Sequence, residues 1–243
     1  MASDTTNTKQ PSNPLPMAKA AVQLHPELLM AAKRGDHSKL DDLMSKDGAL
    51  APHVIVDIDI EDADEQHYVT DSVLHVVASG GDGEEFLLSS TVVYGKAQHL
   101  LGTCNAMGDT PLHCAARAGS IKMVSHLTDL ARSDDNGTAR LQVALRKQNK
   151  QGETVLNEAL RWADEKMVEV LMSADPELAR FPRANGTSPL YLAISLGYDD
   201  IAEQLYQRDN QLSYAGPDGQ NALHAAVLRS ESKCLFILYL LLS

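Results

Sequence analysis

Apolar positions in this chain fall at helical spacing in short paired runs, with a glycine between the members of most pairs. Between 105 and 130, Leu112, Ala115 and Ala116 form one stripe, and Ile121, Val124, Leu127 and Leu130 form a second. Gly108 ends a turn ahead of the first run. Thr110 stands where a helix is capped, and Pro111 follows at a position whose N–H has no intrahelical partner. Gly119 stops that helix. The pattern predicts a turn, a short helix, a sharp bend and an antiparallel second helix.

The same pattern recurs. Taking Leu112 as an anchor, equivalent positions are Leu74, Leu156, Leu190 and Leu223, with a degenerate copy at Leu28. Three residues after the anchor stand Ala31, Ala115, Ala159, Ala193 and Ala226, with Val77 as the exception. A small side chain there lets the two helices of a unit cross closely. Four residues before it stand Gly108, Gly152, Gly186 and Gly219, as a hairpin tip needing positive φ requires. Seven after it stand Gly35, Gly81, Gly119 and Gly197, replaced elsewhere by Ala163 and Ser230. Thr110-Pro111-Leu112-His113-Cys114-Ala115 closely resembles the ankyrin-repeat signature. One such unit cannot bury its own apolar face, so the units must stack. Anchor spacings from Leu28 onward are 46, 38, 44, 34 and 33 residues. Against an ankyrin period of about 33, the last two are regular and the first three carry insertions, expected as loops on the outside of the stack. The fold class expected is an all-α ankyrin-repeat solenoid of about six repeats.

Residues 1–24 are rich in Ser, Thr, Asn, Gln and Pro and are expected to form a disordered leader. An ankyrin-repeat domain is expected over 25–243: irregular repeats over 25–104, regular repeats over 105–230, and an apolar terminal helix over 231–243. Order starts near His25-Pro26-Glu27, with Leu40, Leu43 and Met44 on the second helix of the first unit. Val54 to Ile60 alternates like a strand, and acidic residues follow. Asp62 and Tyr68 stand where a calcium loop needs glycine and glutamate, which disfavours calcium. Gly80-Gly81-Asp82-Gly83 lacks the ending of a phosphate loop and reads as an inter-helix turn. Phe86, Leu87 and Leu88 are expected to pack as the second helix of the second unit. Residues 133–138 form a polar turn, and Leu141, Val143, Ala144 and Leu145 form a short apolar run beyond it. The segment Cys234 to Leu242 is apolar all round, unlike an end repeat with a polar outer face, and too short for the roughly 20 residues of a bilayer span.

Charge narrows the function classes. The chain of 243 residues carries 33 acidic against 21 basic side chains, a net −12, which opposes non-specific nucleic-acid binding. Cys104, Cys114 and Cys234 have neither metal-ligand spacing nor a disulfide framework, which fits a reducing, cytoplasmic location. His75, His113 and His224 share one slot, a unit apart, so they are expected to hydrogen-bond turn backbone and tie neighbouring units, not to meet at a metal. No nucleophile elbow, zinc signature or dinucleotide fingerprint is present. The chain is expected to be no enzyme and to need no cofactor.

The ankyrin resemblance implies a concave face lined by hairpin tips and the outward residues of each first helix, binding partner proteins. Mapped onto this sequence it offers Ala106, Met107, Asp109 and Arg117 from the third unit, and Lys150, Gln151, Glu153, Arg161 and Trp162 from the fourth. The fifth offers Ala184, Asn185, Thr187 and Ser195, and the sixth Pro217, Asp218, Gln220 and Arg229. Arg and Trp dominate interface hot spots, which singles out Arg117, Arg161 and Trp162; Trp162 serves equally well as inter-repeat packing. Charge reversal at Arg117 and Arg161 is expected to weaken capture while leaving the fold intact. The insertions, Leu190-Tyr191-Leu192-Ala193-Ile194-Ser195 and the run Gly216 to Ala226 also resemble plant ankyrin proteins of the accelerated-cell-death type. That resemblance implies defence signalling at the cytosolic face of the plasma membrane. The family's C-terminal membrane helices are missing here, which implies a truncated or spliced form, with 234–242 as the segment for membrane association.

Overall fold

The computed structural model describes residues 26–46, 71–134, 136–209 and 211–229. Helix starts follow the proline and capping pattern: α1 (Pro26–Arg34) opens on Pro26, and α5 (Pro111–Arg117) and α10 (Pro189–Leu196) carry proline in their first turn. The other first helices are α3 (Val73–Ala78), α8 (Val155–Arg161) and α12 (Ala222–Arg229). Each anchor leucine lies on one of them: Leu28, Leu74, Leu112, Leu156 and Leu190 are 3% exposed or less, and Leu223 is half-buried. Second helices are α2 (His37–Lys46), α4 (Glu84–Lys96), α6 (Ile121–Arg132), α9 (Glu165–Ala174) and α11 (Asp199–Arg208).

Two parallel rows result. First helices pack in the order α1, α3, α5, α8, α10, α12, and second helices in the order α2, α4, α6, α9, α11. One continuous apolar core runs between the rows from Leu28 to Ala226. Each unit therefore completes its neighbour's core, with about 1.5–3 kcal/mol from each fully buried leucine. The crossing positions Ala31, Ala115, Ala159, Ala193 and Ala226 are all buried. Hairpin-tip glycines take φ of 79° (Gly108), 72° (Gly152), 80° (Gly186) and 74° (Gly219). The inter-helix turn demands the same region even where glycine is missing, for Ala163 has φ 52°.

The insertions differ from the loops expected. Between α6 and α8 the chain forms another helix, α7 (Gly137–Arg146), packed on α6 and on the short 3-10 turn Gln98–Gly102. Leu141, Ala144 and Leu145 bury one side of α7, while Val143 is 61% exposed. Spacing of i, i+3, i+4 makes an amphipathic stripe, so this apolar run buries itself rather than looping outward. The turn Gln98–Gly102 likewise buries Leu100 and Leu101. Helix α4 also extends further than its opening residues suggest. Ser89, Ser90, Val93 and Tyr94 form its buried side and Leu88 is 43% exposed.

A charged clasp joins the ends of α7, α9 and α11. Arg146 makes two bonds to Asp175 (2.5 and 2.9 Å), Arg180 makes two to Asp209 (2.6 and 3.0 Å), and Glu177 accepts from both arginines. The alternating run 54–60, the acidic residues after it, the leader and the apolar segment 231–243 lie outside the described residues.

Candidate functional site

Hairpin tips are built from recurring columns of polar residues. Seven before each anchor, Asn105, Asn149 and Arg183 reach back to the acid three before the preceding anchor: Asn105 donates to Asp71 (2.7 Å), Asn149 to Asp109 (2.9 Å), and Arg183 pairs with Glu153. Two of those acids, Asp109 and Glu153, also hold the arginine five after their own anchor. Arg117 bonds Asp109 at 2.7 Å and Arg161 bonds Glu153 at 2.5 Å. Glu158 lies between the two arginines, 2.7 Å from Arg117 and 3.6 Å from Arg161. Asp109, Glu153 and Glu158 are 3% exposed or less. Burial alone would raise the Asp109 carboxyl, but hydrogen bonds from Arg117 and Asn149 hold it below its ordinary value.

At His75 and His113 the slot after the anchor does the tying expected of it. Backbone N–H groups of Ser72 and Thr110 can only donate, so Nδ1 of His75 and His113 accepts. Nε2–H then donates to the next unit, to the Asp109 carbonyl (2.8 Å) and the Glu153 carbonyl (3.1 Å). His224 Nδ1 accepts from Asn221 N–H at 3.1 Å. Tyr191 fills the slot with a longer side chain whose hydroxyl reaches Gln220 at 2.5 Å. Burial lowers both inner imidazoles, His113 to about 4. The neutral form is therefore the native one, and the unfolded chain takes up the proton more readily. Stability from His113 is whole above pH 6.5, and it is lost as pH falls through about 4. Urea midpoints are expected to drop from pH 7 to 5.5 to 4.5, and His113→Asn, which keeps an acceptor as Asn157 does, is expected to flatten that slope.

These columns correct part of the sequence reading. Asp109, Glu153 and Thr187 occupy one column and are buried, so they position their neighbours instead of facing a partner. Arg117 and Arg161 neutralise buried carboxylates, so their reversal would not leave the fold intact. Other candidates come together. Met107, Arg117, Gln151, Arg161 and Trp162 line one cleft of about 400 Å³ between the third and fourth units, over Glu153 and Glu158. Trp162 is 61% exposed there and lies outside the apolar core. Ala106 is half-buried; Lys150, Ala184 and Asn185 are exposed on adjoining tips. Ser195 is exposed but donates to the Leu192 carbonyl at 2.9 Å. Pro217, Asp218 and Gln220 stand on the last tip, and Arg229 lies over Gly197, all away from the cleft.

A second cleft, of about 230 Å³, adjoins the first through Arg161 and is lined also by Asn157, Arg183, Leu192, Leu196 and Tyr198. Sequence reading missed this set and Glu158, although two members were legible by column. Leu196 stands six after its anchor like Trp162, and Leu192 two after like Glu158. Cys114 is buried, which pushes its thiol up to about 12 and leaves it unreactive.

Comparison with known proteins agrees with this geometry. Residues 96–180 match the family model described as ankyrin repeats (3 copies). A crystal structure of EF0377, an ankyrin repeat protein, superposes with a TM-score of 0.63 at 19% identity, over 88% of this chain and 96% of that one. The fold is an ankyrin-repeat solenoid. No curated protein matches the chain, and the finer likeness to accelerated-cell-death proteins gains no support from these matches. Within the ankyrin frame, the two clefts lie on the row of first helices and hairpin tips, between consecutive units.

Proposed function

We propose that this ankyrin-repeat chain is a non-catalytic scaffold that recognises another protein through the face holding the two clefts. The observation that carries the proposal is Trp162: a large aromatic side chain 61% exposed beside Met107, 39% exposed, in a cleft floored by internally paired charges. Monomeric surfaces rarely leave such a side chain over a concavity without a use, and tryptophan heads the list of interface hot spots. Pairing inside the cleft leaves no free nucleophile or base: Arg117 and Arg161 are held by Asp109, Glu153 and Glu158. A cytoplasmic location, where the cysteines stay reduced, belongs to the same proposal. The role in plant defence at a membrane rests on resemblance and on 234–242, outside the described residues. Among the described residues no helix is long and apolar enough to cross a membrane.

Affinity capture from the native cell tests the proposal. Trp162→Ala is expected to weaken capture at least about tenfold, with the unfolding midpoint unchanged because the side chain is exposed. Equal capture by both chains would remove this face from the function. Deleting 234–243 with unchanged fractionation would remove the membrane role.

A further inference from the structure

The second cleft differs from the first in its charges. Its lining holds two guanidiniums, Arg161 and Arg183, with apolar walls from Leu192, Leu196 and Tyr198, and no carboxylate. Asn157 is also there, 2% exposed, with its Nδ2 buried and without a hydrogen-bond partner. The orientation of this amide is settled by its own helix start. Oδ1 accepts from Thr154 N–H at 2.9 Å and Thr154 Oγ1 at 3.2 Å, so Nδ2 is turned the other way. In the equivalent slot, His75 and His113 use the longer imidazole to reach the carbonyl of the next tip. For Asn157 the equivalent carbonyl belongs to Thr187, which accepts from Arg183 N–H at 2.8 Å as the Asp109 and Glu153 carbonyls accept from Asn105 and Asn149, but takes no second bond from this slot. A short side chain in a slot built for a long one leaves a donor unsatisfied in the buried wall of the cleft. An unmet buried donor is costly, and an acceptor from outside the chain would satisfy it.

We propose that the cleft beside Asn157 receives an aspartate or glutamate side chain from an extended segment of the partner protein, with a neighbouring apolar residue of that segment against Trp162. This rests on the concave-face reading above. Carboxylate chemistry follows from the donor set, one neutral amide N–H and two guanidiniums, whose paired acids Glu153 and Glu158 line the first cleft and not this one. A phosphate dianion fits less well, because Glu153 already pairs with both arginines and Glu158 with Arg161, which leaves too little positive charge for two negative ones. Packed helices stand ~8–10 Å apart, and an extended chain advances ~3.3 Å per residue. The acid and the apolar anchor are therefore expected about three residues apart.

Selection from a phage-displayed library of random nine-residue segments tests this, using the full chain and two variants. Wild type is expected to enrich Asp or Glu about three residues from a Leu, Phe or Trp. Asn157→His places in the slot the residue found at His113, so it should fold and turn its N–H to the Thr187 carbonyl. It is expected to bind the selected acidic peptide about tenfold to a hundredfold more weakly and to treat its Gln counterpart as wild type does. Trp162→Ala is expected to lose both peptides. Selected peptides without an acidic preference that still need Trp162 would overturn the acid pocket while the concave-face reading stands. An acidic preference that persists in Asn157→His would also overturn it, as would tighter binding when phosphoserine replaces the acid. Enriched peptides indifferent to Trp162 would sink the concave-face reading and this inference together.

Discussion

Replacing Arg117 by glutamate is expected to lower the stability of the solenoid by about 3 kcal/mol, near the lower end of the cost of breaking a buried ion pair. Asp109 and Glu158 are 1% and 3% exposed on their side chains, and Arg117 meets both at 2.7 Å, closer than their other partners Asn149 (2.9 Å) and Arg161 (3.6 Å). Reversal would leave these carboxylates without it and add a further negative charge beside them. The arginine is itself 43% exposed, so water screens part of the change and holds the loss below the full buried-pair figure. Urea unfolding at pH 7 measures the shift. Lys150→Glu, on an exposed tip, is the control and is expected to stay within about 0.5 kcal/mol of wild type. A wild-type midpoint for Arg117→Glu would show that the buried acids are held some other way. The practical consequence concerns binding. Loss of capture in an Arg117 variant reports on the fold, whereas Trp162, Met107 and Lys150 can be changed without touching a buried charge.

Gly152→Val is expected to cost as much or more. Gly152 has φ 72°, and a Cβ built there would lie 2.2 Å from the Ala184 Cβ and 2.7 Å from the Ala184 backbone nitrogen. The left-handed conformation alone costs an L-residue about 1–2 kcal/mol. Prising the fourth and fifth tips apart adds roughly 1–3 kcal/mol, because the obstruction is backbone and cannot rotate away. Gly186→Ala separates the two contributions. Its φ is 80°, yet nothing lies within 4 Å of an added Cβ, so only the conformational cost is expected. Thermal unfolding of both variants checks the difference, and equal midpoints would mean that the tips are not in close contact at Gly152.

Both results turn on columns that repeat along the chain, and the columns divide by how much of their meaning is local. Leucine anchors, crossing alanines and turn glycines satisfy needs that arise inside one helix pair. Their spacing therefore declared the solenoid, and the anchors stand in one row as expected. The site was legible only where exposure follows from position in the unit, as for Met107, Gln151, Arg161 and Trp162. Burial of Asp109, Glu153 and Thr187 was not legible, because it depends on the following tip lying over each of them. The same holds for α7, whose apolar stripe needed α6 and the 98–102 turn as a surface before it could count as core.

By itself, then, the order of residues determined the unit, its turn chemistry and its repetition, since hydrogen-bond closure and apolar spacing act over a few neighbours. Stacking decided which polar side chains became struts between tips and which remained open to a partner. It also decided that Asn157, one atom group too short for its slot, faces a cleft with a donor unmet. Those outcomes belong to contacts between residues some 30 to 45 positions apart, where distance along the chain carries no information about distance in space.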